Sequence, residues 1–213
     1  MHRSGARSAL AFALAFAAGC FPSARLVALT AGPAARERLA KENPGASSVN
    51  RVMGKKAAAV VLALDVLKGY VPATVARRAG AGPEVVEVLA LAPMAGHIAV
   101  LGGRGGAALA GGVIAVDPAA FVLLLPIWVG ATVKNDNARG ALAACLVYPA
   151  LRKVLGRSNA AVAITCLAPL LLIYARLRGP GWTAKPLTRS LLWRRLTCDA
   201  EIPRAGGLSE AKR

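Results

Sequence analysis

Four stretches without a charged side chain, residues 9–24, 88–103, 118–133 and 158–175, limit what this chain can fold into. Each approaches the roughly 20 apolar residues that a helix needs to cross a hydrocarbon core about 30 Å thick. Several are interrupted by Pro or Gly, so none would serve well as a lone anchor. In lipid, every backbone N–H and C=O must find a partner within the protein, and short or broken helices manage this by packing against one another. The chain has 213 residues, is 56% apolar and 5% aromatic, and has a mean hydropathy of +0.51, which is too greasy for a water-soluble domain of that size. The fold class that follows is all-α: a polytopic transmembrane helix bundle of about seven membrane helices, including a short helical hairpin.

The expected spans are 8–31, 57–76, 85–101, the hairpin 107–116 and 118–133, then 141–155 and 159–176. Asp117-Pro118 marks the hairpin turn, because Asp suits a helix cap and Pro the first helical turn. Seven crossings put the termini on opposite sides. Cations accumulate on the cytoplasmic side of membrane proteins. The segment 32–56 holds Arg36, Arg38, Lys41, Arg51, Lys55 and Lys56, against Arg3 and Arg7 in the N-terminal stub. The N-terminus is therefore expected outside, and the tail, with nine Lys or Arg from Arg176 to Arg213, inside. Arg152, Lys153 and Arg157 run against this scheme, which places them outside. The expected organisation is a transmembrane bundle over 1–178 and a basic cytoplasmic tail over 179–213. Three polar segments, 32–56, 102–106 and 134–140, then share the cytoplasmic face.

A net charge of +17 would suggest nucleic acid in a soluble protein. Here the cations sit at segment ends, and no basic face interleaved with aromatics offers a stacking platform, so nucleic acid is set aside. Cys20, Cys145, Cys166 and Cys198 lack metal-ligand spacing and read as buried reduced thiols. The run ending Ala17-Ala18-Gly19-Cys20 mimics a lipoprotein signal. Apolar sequence resumes at 26–29 beyond Pro22, which favours a kinked first span that continues.

Chemistry concentrates in four places. Asn43-Pro44-Gly45-Ala46-Ser47-Ser48-Val49-Asn50-Arg51 exposes backbone amides, adds amide and hydroxyl donors, and ends in a guanidinium suited to a phosphoryl group. An anion cradle and a solvated cytoplasmic loop are equally compatible with that spacing. Gly102-Gly103-Arg104-Gly105-Gly106 again joins bare amides, a cation and a helix start. Asp65 and Lys68, three apart on an apolar helix, are either a mutually satisfied structural pair or an anion ligand with its orienting partner. His97, after Gly96, is either a packing residue or a proton acceptor. The sequence holds no His-x4-Asp pair, Ser-His-Asp order, Cys-x-x-Cys or P-loop, and no carboxylate-rich metal site. Chemistry would rest on positioning and charge neutralisation, without cofactor or metal.

The order of these pieces resembles the bacterial membrane acyl-phosphate:glycerol-3-phosphate acyltransferases, from about residue 19 to 155. Gly19-Cys20-Phe21-Pro22 sits where that family breaks its first helix. Asn43 to Arg51 is similar to its Asn-x-Gly-Ala-Thr-Asn-Val-x-Arg motif, and Gly54-Lys55-Lys56 and Asp65-x-x-Lys68-Gly69 follow in register. Gly96-His97 and Gly102-Gly103-Arg104-Gly105 look like its Gly-His and Gly-Gly-Lys-Gly elements, with Asp117-Pro118 at the expected offset. Lys41 stands where the family has serine, and Ser48 where it has asparagine. Its third, hydroxyl-rich motif is hard to find in 134–139. The resemblance implies an enzyme of the bacterial inner (plasma) membrane that moves a fatty acyl group from acyl phosphate to the 1-hydroxyl of glycerol 3-phosphate, giving lysophosphatidate for phospholipid synthesis. Its partners would be those two substrates and the bilayer. Substrate-binding residues would be Asn43, Gly45, Ser47, Ser48, Arg51, Lys68, Gly102, Gly103, Arg104 and Gly105, with His97 in the catalytic position. The alternative is a homologue that has lost turnover and acts as a membrane transport or anion-binding protein.

Overall fold

A computed structural model describes residues 2–134, 136–178 and 188–197, and all regular structure among them is helical. The first span is broken, as the Pro22 signal suggests: α1 (His2–Gly19) ends at the Cys20-Phe21-Pro22 turn and α2 (Ser23–Ala28) resumes the apolar run. A polar excursion follows, with α3 (Pro33–Ala40) and α4 (Ala46–Met53). Next come α5 (Lys55–Arg78), α6 (Pro83–Leu101), the hairpin α7 (Gly106–Val116) and α8 (Pro118–Val133), and α9 (Asn137–Val154). The last span is α10 (Asn159–Thr165) and α11 (Leu167–Leu177), which meet at Cys166. Four segments are long and apolar enough to cross a membrane: Gly5–Ala28, Lys55–Arg78, Pro83–Leu101 and Asn159–Leu177. At 11 residues α7 is only about 16 Å long, far short of the hydrocarbon thickness. It survives in such a setting because α5, α6 and α8 surround it.

Glycines let these helices touch backbone to backbone. A methyl at Gly69 would lie 1.9 Å from Ala108 O, and one at Gly111 would lie 1.9 Å from Val66 O. Each glycine of the α5–α7 crossing therefore sits in the groove of the other helix, the small-residue packing by which helices associate where no hydrophobic force operates between them. Gly19 and Gly96 do the same for α1 and α6, against Pro93 O and Phe16 O. One buried cluster, including Ala73, Val86, Leu89 and Ala115, fills the space between α1, α5, α6 and α7. A second, including Met94, Leu109, Leu124, Tyr148 and Leu172, joins α6 through α9 to α11. Leu14, Val75, Leu123 and Leu170 are turned outward, as a lipid-facing surface requires. Cys145 is buried and Cys20 half-buried, but Cys166 departs from the expected burial, because it lies on the outer face of its span. Cys198 lies outside the described residues. Of the segment 179–213, Arg189–Thr197 forms α12, which packs on α9 and α11: Arg195 Nη1 donates to Leu177 O at 2.9 Å.

The end of the bundle opposite the polar segments explains the three cations that run against the charge scheme. Arg152 makes a two-pronged pair with Glu87, 2.6 Å on each arm, and its Nε lies 3.3 Å from Asp117 Oδ2. Arg157 holds the same Asp117 at 2.8 and 2.9 Å. Lys153 donates to Asn159 Oδ1. Two of the three cations are thus neutralised by carboxylates, and Asp117 also accepts from Ala120 N as the cap of α8. Burial pushes the Asp117 carboxyl up. The hydrogen bonds from Arg157 and the Ala120 amide, with the charges of Arg157 and Arg152, outweigh it and hold the group below the ordinary aspartate value. A depressed native pKa gives stability that is present above the unfolded value and lost as pH falls through the folded one. The detergent-solubilised protein is therefore expected to lose thermal stability below about pH 4. Asp117→Asn should cost on the order of 3 kcal/mol at neutral pH and flatten that acid limb; an unchanged melting curve would show the cluster to be dispensable.

Candidate functional site

The polar end is organised around the break in the first span. Pro22 ends α1 and leaves the Phe21 carbonyl outside a regular helix, and Lys68 Nζ from α5 donates to it at 2.5 Å. The same ammonium donates to Asp65 Oδ1 at 2.6 Å and Ser23 Oγ at 3.1 Å, while Ser23 donates to Asp65 Oδ1 at 2.5 Å. Asp65 and Lys68 are 2% and 6% exposed, so the pair is desolvated, and three donors meet acceptors. Lys68 is not among the residues that line the cavity described below, although Asp65 is.

Beside this node, His97 on α6 is buried beneath two loops. Its Nε2 lies 3.3 Å from Pro44 O; a carbonyl can only accept, so Nε2 carries the hydrogen. Nδ1 has no hydrogen-bond partner among the described residues. Gly103 covers the ring so closely that a methyl there would lie 2.1 Å from His97 Nε2. Gly102 and Gly105 carry the loop through the left-handed region, with φ of +71° and +66°, which side-chain-bearing residues rarely adopt. Two of the sequence motifs thus meet at one histidine.

Above them opens a cavity of about 560 Å³. Its mouth collects Asn43 and Gly45 from the loop before α4, Ser47, Ser48 and Arg51 from α4 itself, and Arg104 and Gly105 from the loop before α7. Its body runs between α7, α8, α9 and α11, past Leu109, Phe121, Trp128, Cys145 and Leu172. Gly102 and Gly103 shape the loop without lining the cavity. Two helices, α4 and α7, start at the mouth from Gly45 and Gly105, with no side-chain cap. Side-chain caps are also missing from α2, α3, α5, α6 and α11, whereas α8, α9 and α10 are capped by Asp117, Asp136 and Ser158, so it is the position of α4 and α7 at the mouth that sets their starts apart. Bare first-turn amides and the positive end of the helix dipole favour an anion at both starts. Arg51 is poised there by Ser48 Oγ at 3.1 Å, and Ser48 in turn donates to Asn43 O at 2.6 Å.

Sequence reading missed several residues of this cavity. Arg176, on α11, lines it while Nη2 donates to Ala138 O at 2.8 Å and Nη1 to Leu196 O at 2.5 Å, tying α9 and α12 to its wall. The signal was available: Arg176 is the first cation after the last apolar span, which places it level with the polar loops. Asn137 also lines the cavity. It follows the α9 cap in the segment 134–140, where no motif could be matched.

Together these features define a class: an integral-membrane helical protein whose greasy cavity opens between helix starts that invite an anion. Comparison with known proteins makes the class specific. The chain belongs to the glycerol-3-phosphate acyltransferase family, whose family model matches residues 9–179. A glycerol-3-phosphate acyltransferase of Dechloromonas aromatica is 35% identical over 125 residues, covering 56% of this chain and 63% of the relative. That of Rubrobacter xylanophilus is 34% identical, covering 64% and 71%, and that of Methylorubrum populi 30% identical, covering 76% and 82%. The chain thus spans just under two thirds of the Dechloromonas relative's length and more of the other two. The fold is similar to crystal structures of PlsY (YgiH), an integral membrane glycerol 3-phosphate acyltransferase. Its glycerol 3-phosphate form gives a TM-score of 0.72 at 25% identity, covering 80% of this chain and 88% of that one. Its lysophosphatidic acid form gives 0.70 at the same identity, covering 81% and 88%.

The Lys68 node separates a folding role from a ligand role. Lys68→Ala leaves Asp65 buried with Ser23 alone and should cost about 3–5 kcal/mol, read as a lower melting temperature and less folded protein in membranes. A variant as stable as the parent but weaker for anions would mean that the ammonium serves the ligand.

Proposed function

We propose that this protein transfers a fatty acyl group from an acyl phosphate to the 1-hydroxyl of glycerol 3-phosphate, at the cytoplasmic face of the bacterial inner membrane and with its N-terminus outside. The observation that carries the reading is the pairing of two uncapped helix starts and the cations Arg51 and Arg104 with an apolar cavity directly behind them. Both substrates are anions at the reacting end, and one is an acyl chain at the other. The mouth offsets their mutual repulsion, and the body accepts the chain. The orientation follows from the cations of 32–56 gathering at this end while Arg152 and Arg157 at the other are held by Glu87 and Asp117.

In the transfer, the acceptor's hydroxyl oxygen attacks the acyl carbonyl carbon. A C–O bond forms, the carbonyl–phosphate C–O bond breaks, and inorganic phosphate leaves with the hydroxyl's proton. The acyl phosphate is a reactive anhydride, so positioning and neutralisation suffice and no protein nucleophile is needed. His97, which lines the cavity, would accept a hydrogen bond from the acceptor's hydroxyl on Nδ1, the ring nitrogen that the Nε2 contact to Pro44 leaves without a hydrogen, and so align the oxygen. Arg51 and Arg104 take the phosphoryl groups, the amides behind Gly45 and Gly105 supply further donors, and Asn43, Ser47 and Ser48 complete the polar wall. Lys68, with Gly102 and Gly103, supports this set from behind.

Purified protein supplied with an acyl phosphate and labelled glycerol 3-phosphate should form labelled lysophosphatidate. Arg51→Ala should lower turnover on the order of 100-fold or more while leaving the amount of folded protein unchanged. Wild-type-like turnover in that variant, or binding without product in the parent, would overturn the assignment.

A further inference from the structure

The arginine that the proposed reaction needs is already engaged through one of its nitrogens. Arg51 Nη2 is paired with the carboxylate of Glu42, which stands between α3 and α4. Glu42 is the only acidic residue in the otherwise basic segment 41–56. Its neighbour Lys41 is engaged in the other direction, with Glu37 at 2.7 Å. Ser48 Oγ, the other acceptor at Arg51, already donates to Asn43 O. The Glu42 side chain is 29% exposed and that of Arg51 38%, so the pair is wet, screened and weak enough to exchange.

We infer that Glu42 is an internal anion that occupies Arg51 until a phosphomonoester displaces it, and so selects dianionic ligands over monoanionic ones. The inference rests on the proposed role of Arg51. A carboxylate carries one charge. It yields to a ligand with two charges and three terminal oxygens, which engages the guanidinium fork and the bare amides of α4 together. It does not yield readily to a phosphodiester, which brings one charge and two terminal oxygens. That distinction matters at a membrane surface, where phosphodiester headgroups vastly outnumber soluble phosphomonoesters and would otherwise fill an open arginine.

Glu42→Gln keeps the shape and removes the charge. Its KM for glycerol 3-phosphate should fall about two- to fivefold, the span expected of one exposed ion pair, with kcat within about twofold of the parent. Dimethyl phosphate, a monoanionic phosphodiester, should inhibit the variant more strongly than the parent, and by a larger factor than that by which the KM for glycerol 3-phosphate falls. A KM that stays the same or rises, or dimethyl phosphate inhibition that strengthens by no more than the KM falls, would overturn the inference and leave Glu42 as a scaffold for the loop. Titration calorimetry of glycerol 3-phosphate into both proteins gives the same comparison as a Kd ratio without turnover. If the parent binds but makes no product, the reaction assignment fails while the Kd ratio still decides on Glu42. If the parent does not bind, both fall.

Discussion

The polar end of this bundle depends on the buried pair of Asp65 and Lys68. Breaking the first span at Pro22 takes the Phe21 carbonyl out of the helical ladder; the Ser23 amide and the Lys68 ammonium both donate to it, while Asp65 and Ser23 meet the ammonium. The break lets the chain turn toward its polar excursion next to His97, over which Pro44 and Gly103 then close. An ion pair within an apolar helix thus serves as the fixed point beside which two polar motifs converge. Its contribution is one of placement: a buried pair gains little net energy over an apolar replacement, but losing one partner leaves a charge that nothing solvates.

The rest of the bundle obeys a different constraint. Without a hydrophobic force between helices in lipid, close association needs backbones that can touch, and Gly69, Gly111, Gly19 and Gly96 provide it. Those contacts hold α7 against α5 although it is too short to span anything alone. They also set the first helical turn of α7, bare of side-chain caps, at the cavity mouth. At the far end, Glu87 and Asp117 neutralise Arg152 and Arg157, which lets cations occupy a position that their charge alone would forbid. Packing and charge therefore divide the labour by height along the bundle.

The helical, membrane-spanning architecture was legible because charge-free runs and Pro or Gly breaks are strong one-dimensional signals. The hairpin at Asp117-Pro118 was legible for the same reason, since a cap and a first-turn proline are local chemistry. What the sequence could not reveal was depth. Spacing could not say whether Lys68 or Asp65 faces the cavity, because the answer depends on the Phe21 carbonyl more than 40 residues away. The neutralising partners of Arg152 and Arg157 were hidden likewise, each on another helix or turn. Arg176, Asn137 and Glu42 escaped because each looked like an ordinary end-of-span or loop residue until other segments were brought to it.

The account stands on two separate segments, α4 and the loop before α7, bringing Arg51, Arg104 and two helix starts to one anion at the mouth of a greasy cavity. A structure of the purified protein determined with glycerol 3-phosphate bound measures this directly. The account predicts phosphoryl density against Arg51 and Arg104, within reach of the first amides of α4 or α7, with the glycerol hydroxyls toward His97. Phosphoryl density at the opposite end, on Arg152 and Arg157, or outside the cavity altogether, would contradict it.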